Sequence, residues 1–546
     1  MSIKFHHHLL PLFIWLGIII IILAFFWNNL SFGAQSSDSP AYIFLASRIS
    51  RHLPLNYHDQ IIDELNNLQE NNIVNLSLPK QYSYSAENNL LVHKYPIGLS
   101  LILSLGYWLC GNQAIGWYLS YILCILGALP LLYYIILALF HEQKNVKILG
   151  IIGCILLFTQ TIFFSYFIAP PSRDIIILTI SLAIILLLLK NSRNKTFLII
   201  AAFLFILGYF TRETIILLMP LILYLIFSNK KNKWKKIAIF VIAATVFFIL
   251  FLGLHYYFDR EFVSWAHLIM PQADHLKSLS IDNYAHARGA IVKGQSTIFA
   301  YFKLLAVDFY ALPYIIFMII CSAIYLLIKN KRWPLCAMIF LWVLPAFFFF
   351  SAWTNPYPRY LLFVFPAIII LTIVLLNYFL TLNFLSQNKY KYLAAIIFLL
   401  IIQGKQIFNI FKQPENFHKN HYEASLKYQN LLEIKQLENK LREKNNPLLI
   451  IDDYFWYELQ DTWRAHANIP TINIDVAEFH KIDNLTSLLN NLNKEYSIYF
   501  LTTDQEKLFS VIDEKEKDFN NLNCLVDFSN HPLAMKCGIW IKKDGD

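Results

Sequence analysis

Residues 9–42 read LLPLFIWLGIIIIILAFFWNNLSFGAQSSDSPAY. Its first part, residues 9–27, is an uncharged apolar run long enough to cross a bilayer as a helix. The run follows Lys4 and three histidines, which gives it the look of a secretory signal. Its apolar core is longer than a signal's, and no small-residue cleavage site follows it, so an uncleaved anchor with a cytoplasmic N-terminus is expected. The second part places one carboxylate, Asp38, at the exit of that span, ahead of a short segment, Ala41 to Ser50, suited to lie along a membrane surface.

Composition agrees with this opening. The 546 residues are 57% hydrophobic and only 15% charged, whereas a soluble globular chain carries about a quarter charged residues. Forty-five Phe and thirty-one Tyr suit an extensive lipid-facing and interfacial surface. The net charge of +9 does not point to nucleic acid, because many of the basic residues sit in short loops between apolar runs. That pattern sets topology. Seven cysteines are too few for a disulfide framework; five lie in or beside apolar runs, and only Cys524 and Cys537, in a polar region, are placed to pair if the tail is extracytoplasmic.

Further apolar runs occupy about 96–110, 115–140, 148–164, 175–189, 196–210, 214–227, 237–254, 309–328, 334–352, 361–380 and 393–403. Basic loops intervene at Lys144/Lys147, Lys190/Arg193/Lys195, Lys230 to Lys236, Lys329/Lys331/Arg332 and Lys389/Lys391. Putting these loops on the side of Lys4 requires an even number of crossings between successive loops. The run 96–110, opening with Pro96 and Gly98, is short for a span and is expected to be interfacial or re-entrant. About 11 spans remain. Residues 1–404 form the membrane domain, with outer loops 28–95 and 255–297, and the polar tail 405–546 reads as an extracytoplasmic α/β domain with strands near 448–451, 496–501, 525–528 and 538–541.

None of the proposed spans has Asp, Glu, Lys or Arg in its interior. On this topology Asp38, Lys94, Arg173, Asp174, Arg212, Glu213 and Arg359 all fall at outer ends. A transporter or lipid flippase places polar groups near the midplane. A surface-polysaccharide polymerase or ligase, the other alternative, is expected to have one dominant Arg-rich outer loop. Charge stacked at one surface argues for an enzyme of the membrane–water boundary.

The motifs at these ends resemble a known family. Asp38-Ser39-Pro40-Ala41-Tyr42 is similar to the first outer loop of GT-C membrane glycosyltransferases, in particular the bacterial relatives of protein O-mannosyltransferase and lipid A aminoarabinose transferase. His93-Lys94-Tyr95-Pro96-Ile97-Gly98 resembles their KYPPG signature, with Ile97 at the second Pro. Arg173-Asp174 resembles the acidic element of their second outer loop, and Arg359-Tyr360 with Pro366 a late RY…P element. Asp38 is followed by Ser39 and not by the second acidic residue of the mannosyltransferases.

The resemblance implies transfer of a monosaccharide from a polyprenyl-phosphate donor to a periplasmic glycolipid, glycan or protein, by a multi-pass bacterial inner-membrane enzyme. An acceptor hydroxyl is a poor nucleophile and gains from a carboxylate base. The leaving phosphate needs cations and no acid. Carried over by position, Asp38 is the base and Asp174 supports it; Lys94, Arg212 and Arg359 bind the donor phosphate; Tyr42, His93, Tyr95, Glu213 and Tyr360 line the cleft. Simpler roles compete. Asp38 and Asp174 suit helix caps, Arg212 and Glu213 can pair within their turn, and Lys94 and Arg359 can snorkel to head groups. His93, Glu87 and the two aspartates offer donors for a divalent cation, though their spacing selects no ligand set.

Overall fold

The structure is a computed structural model. It describes residues 39–55, 82–85, 90–93, 96–110, 114–143, 145–160, 163, 172–191, 194–228, 232–259, 313–351 and 362–381, together with residues 441 and 443 and the strands of the C-terminal part.

Eleven helices are described: α1 Ser39–Ser50, α2 Gly98–Cys110, α3 Ala114–Leu139, α4 Val146–Phe158, α5 Arg173–Asn191, α6 Lys195–Thr211, α7 Met219–Phe227, α8 Lys233–Asp259, α9 Pro313–Lys329, α10 Trp333–Ser351 and α11 Phe365–Thr381. A 3-10 turn, Glu213–Leu218, leads into α7, where Pro220 occupies a first-turn position whose missing N–H costs nothing. Asn194 caps α6 by accepting from Thr196 N–H at 2.9 Å. A hairpin pairs β1 (Tyr82–Ser85) with β2 (Leu90–His93) antiparallel.

The described apolar runs are helices, because an uncharged run in lipid must satisfy its backbone hydrogen bonds internally, and the chain is a multi-pass membrane protein. By length and composition, three described helices can cross a bilayer unaided: Gly116–Leu139, Lys233–Phe258 and Leu362–Leu380. Shorter apolar helices, such as Val146–Phe158 and Lys195–Thr211, pack beside them. The last expected run, 393–403, lies outside the described residues. On α8 the exposed Trp234 stands near one end and the exposed Tyr256 and Tyr257 near the other. From 234 to 256 is 22 residues, which at 1.5 Å each is about 33 Å, close to the hydrocarbon thickness that interfacial aromatics bracket.

The described basic loops gather at one end of the bundle. Lys190 Nζ lies 4.7 Å from the ring centroid of Tyr134, so the C-terminal parts of α5 and α3 meet. Arg332, between α9 and α10, reaches Glu142 at 3.8 Å and Phe140 at 5.9 Å, beyond the end of α3. Tyr224 of α7 donates to Pro334 O at 3.0 Å.

At the opposite end, α2 touches two different helices. A Cβ on Gly106 would fall 1.9 Å from Gly116 O in the first turn of α3, and one on Gly98 would fall 2.5 Å from the backbone of Phe210 and Thr211, where α6 ends. Both contacts lie at the same end of the bundle. Small residues let these backbones approach, which is how membrane helices pack when hydrophobicity gives no drive between them.

In the C-terminal part, β3 (Pro447–Ile451), β4 (Thr471–Asn473), β5 (Ser497–Thr502), β6 (Cys524–Phe528) and β7 (Met535–Ile539) form one sheet in the order β4-β3-β5-β7-β6. β3 is parallel to β4 and β5, whereas β7 is antiparallel to β5 and β6. β4 was not expected from the sequence, because Thr471-Ile472-Asn473 is too short to show a pattern.

Candidate functional site

The end of the bundle opposite the basic loops collects the described charged residues that the motifs singled out. Asp174 lies in the first turn of α5, and Arg212 follows α6 with extended backbone (φ −161°, ψ 123°) before the 3-10 turn. Arg212 Nη1 donates to Asp174 Oδ1, and the two form an ion pair, each residue 8% exposed. Two residues 38 apart in sequence are thus held charge to charge where solvent hardly enters. Removing one partner from such a pair strands the other's charge.

Local structure explains how Asp174 gets there. The sequence allows Asp174 as the cap of a helix starting at Ile175, but α5 starts at Arg173 and the preceding Ser172 supplies the cap, its Oγ accepting from Asp174 N–H at 3.3 Å. The carboxylate is thereby released from capping and remains beside the positive end of the helix dipole, which favours its charge. Ser172 N–H in turn donates to Tyr121 Oη of α3 at 3.0 Å.

Two more expected site residues come close by. Tyr42, 1% exposed on α1, has the guanidinium of Arg173 over its ring at 5.5 Å. Glu213, partly exposed, opens the 3-10 turn next to Arg212. Gly98, of the KYPPG-like segment, abuts Phe210–Thr211, so that segment is joined by backbone contact to the turn bearing Arg212. His93 ends β2 opposite Tyr82, and its side chain is outside the description. Asp38, Lys94, Tyr95, Arg359 and Tyr360 lie outside the described residues. Asp174, Arg212, Glu213 and Tyr42 are brought to one end of the bundle. Arg173 and Tyr121 join them without having been counted as site residues. Arg173 was part of the Arg173-Asp174 motif but was assigned no role, whereas Tyr121, a tyrosine inside an apolar helix, gave no sign.

Among the described residues, no three His, Cys, Asp or Glu side chains gather as a metal-binding group.

The close approach at Gly98 is open to direct test. Gly98→Ala puts a methyl within 2.5 Å of the Phe210 and Thr211 backbone, which cannot rotate away. A loss of about 1–3 kcal/mol is expected from such overpacking, seen as a lower melting temperature in detergent. Gly253→Ala on α8 is the control: its Cβ meets nothing within 4 Å, and helix propensity favours Ala by roughly 0.5–1 kcal/mol. Equal melting of the two variants would refute the contact.

Residues 94–257 match the family model described as dolichyl-phosphate-mannose-protein mannosyltransferase. Among solved structures, the chain is similar to ArnT from Cupriavidus metallidurans bound to undecaprenyl phosphate, at a TM-score of 0.54 and 12% identity over 96% of this chain and 98% of that one. It is similar to the apo state of ArnT at a TM-score of 0.53 and 12% identity, over 96% and 97% of the two chains. No curated protein matches it by sequence. The matched segment contains Arg173, Asp174, Arg212 and Glu213, and the chain as a whole has the fold of the GT-C membrane glycosyltransferases.

Proposed function

We propose that the protein transfers a monosaccharide from a polyprenyl-phosphate donor to a glycolipid, glycan or protein acceptor at the periplasmic face of a bacterial inner membrane. The observation that carries this reading is the buried Asp174–Arg212 pair at the end of the bundle away from the basic loops, within the segment that matches a lipid-linked mannosyltransferase family. ArnT, which shares the fold, is a protein crystallised with undecaprenyl phosphate.

In this reaction the acceptor oxygen attacks the anomeric carbon, the bond to the phosphate oxygen breaks, and polyprenyl phosphate leaves as an anion. Asp38 takes the acceptor proton. Lys94, Arg212 and Arg359 hold the departing phosphate, where the guanidinium fork is the better match. Asp174 orients Arg212 and offsets its charge between turnovers. Tyr42, His93, Tyr95, Glu213 and Tyr360 line the cleft.

The test is transfer itself. Purified protein is given defined undecaprenyl-phosphate sugars with radiolabelled head groups, and cell-envelope extract as acceptor. Label is expected to enter the acceptor with release of undecaprenyl phosphate; no transfer from any donor in the series would end this reading.

The proposed topology has about 11 spans, with the N-terminus cytoplasmic and the tail 405–546 periplasmic. Reporter fusions at Lys233, at the basic start of α8, and at Asp546 are expected to report opposite faces. The same face at both positions would break the span count.

A further inference from the structure

The buried ion pair is held by a hydrogen-bonded chain that starts on a different helix. Tyr121 Oη, on the fully buried side chain of α3, accepts from Ser172 N–H at 3.0 Å; Ser172 Oγ accepts from Asp174 N–H at 3.3 Å; Asp174 Oδ1 accepts from Arg212 Nη1. The N–H groups at a helix start have no partners within the helix, so whatever satisfies them fixes where the helix begins. Here a phenol from α3 and a serine hydroxyl together satisfy two N–H groups, those of Ser172 and Asp174, in the opening turn of that backbone. At its start, α5 is tied to α3 through this phenol, and the same serine bonds the backbone of Asp174.

We propose that Tyr121 is a positioning residue for the transfer reaction: it sets the register of the α5 start and so aims Asp174 at Arg212. This rests on the transferase reading above. The consequence is specific. Tyr121 reaches the carboxylate by way of Ser172. Losing the phenol oxygen leaves a buried N–H without its partner, and the cheapest relief is a small shift of the α5 start. Misplacement of a catalytic group by about 1 Å is enough to cost on the order of 100-fold in rate.

The same two helices supply an internal control. Farther along, Thr179 Oγ1 of α5 donates to Cys124 O of α3 at 2.9 Å. This bond also fastens α5 to α3, but it lies beyond the helix start and does not lead to the ion pair.

The experiment measures kcat, donor KM and melting temperature for Tyr121→Phe, Ser172→Ala, Ser172→Thr and Thr179→Val in the full chain. Tyr121→Phe and Ser172→Ala are expected to lower kcat roughly 10- to 100-fold, with donor KM changed little. Ser172→Thr keeps the hydroxyl and is expected to recover most of the rate. Thr179→Val is expected to lower the melting temperature and leave kcat near wild type. Should wild type transfer sugar while Tyr121→Phe retains full kcat, or while Thr179→Val loses as much rate as Tyr121→Phe, the positioning role is overturned. Absence of transfer in wild type would instead overturn the reaction.

Discussion

Asp174→Leu and Arg212→Met, made singly, are each expected to destabilise the protein by about 3–5 kcal/mol, and made together to restore most of that stability without restoring transfer. The argument is one of burial. Both residues are 8% exposed, so each charge has exchanged water for its partner. Removing one partner leaves the other uncompensated in a poorly solvated site, the costliest outcome for a buried ion pair. Replacing both with apolar side chains of similar size removes both desolvation penalties at once and is often neutral or stabilising. Thermal unfolding in detergent checks the first half, and the donor assay the second. Single variants that melt like wild type would show that the pair is not held as the structure places it. A double variant that still transfers sugar would show that these charges serve packing alone.

This cycle separates two readings that residue types could not. In the sequence, Arg212 is flanked by Glu213, and adjacent opposite charges in a turn invite a local pair. The contact formed instead spans 38 residues and joins the ends of α5 and α6. Such a pairing depends on which helices neighbour one another, and no spacing rule reports it. The helices themselves were legible, because an uncharged run in lipid must satisfy its backbone internally. Their ends were less so. The run 175–189 becomes a helix from Arg173 because Ser172 caps it. The run 148–164 gives a helix ending at Phe158, where Thr159 Oγ1 turns back to Ile155 O at 2.8 Å. The run 214–227 divides into a 3-10 turn and α7 next to Pro220.

The site follows the same division. Motif residues were proposed from type and order: a carboxylate after the first span, a Lys-Tyr-Pro segment, an Arg-Asp at the head of a helix, of which the last lies wholly within the described residues. What joins them was not. Gly98 reads in sequence as a helix-opening glycine, and its role is the backbone contact with Phe210–Thr211. Tyr121 reads as core, which it is at 0% exposure; its hydroxyl nonetheless meets the backbone that leads to Asp174.

Asp38→Asn is expected to lower kcat for sugar transfer by roughly 100- to 10,000-fold, the usual contribution of a positioned general base, while leaving donor KM and melting temperature near wild type. The amide matches the carboxylate in size and removes only its capacity to take a proton, so folding and donor binding should not register the change. Replacing a phosphate-binding cation should behave differently. Lys94→Ala or Arg359→Ala weakens the grip on a group bound before reaction and more strongly charged as it departs, so donor KM rises along with the loss in kcat. The split between the two patterns is what assigns the roles. Unchanged kcat in Asp38→Asn would move the base to another carboxylate. Asp174 is already answered by Arg212, so among the described carboxylates at this end Glu213, next to Arg212 in the chain and partly exposed, is the one whose replacement by Gln would then be expected to abolish transfer.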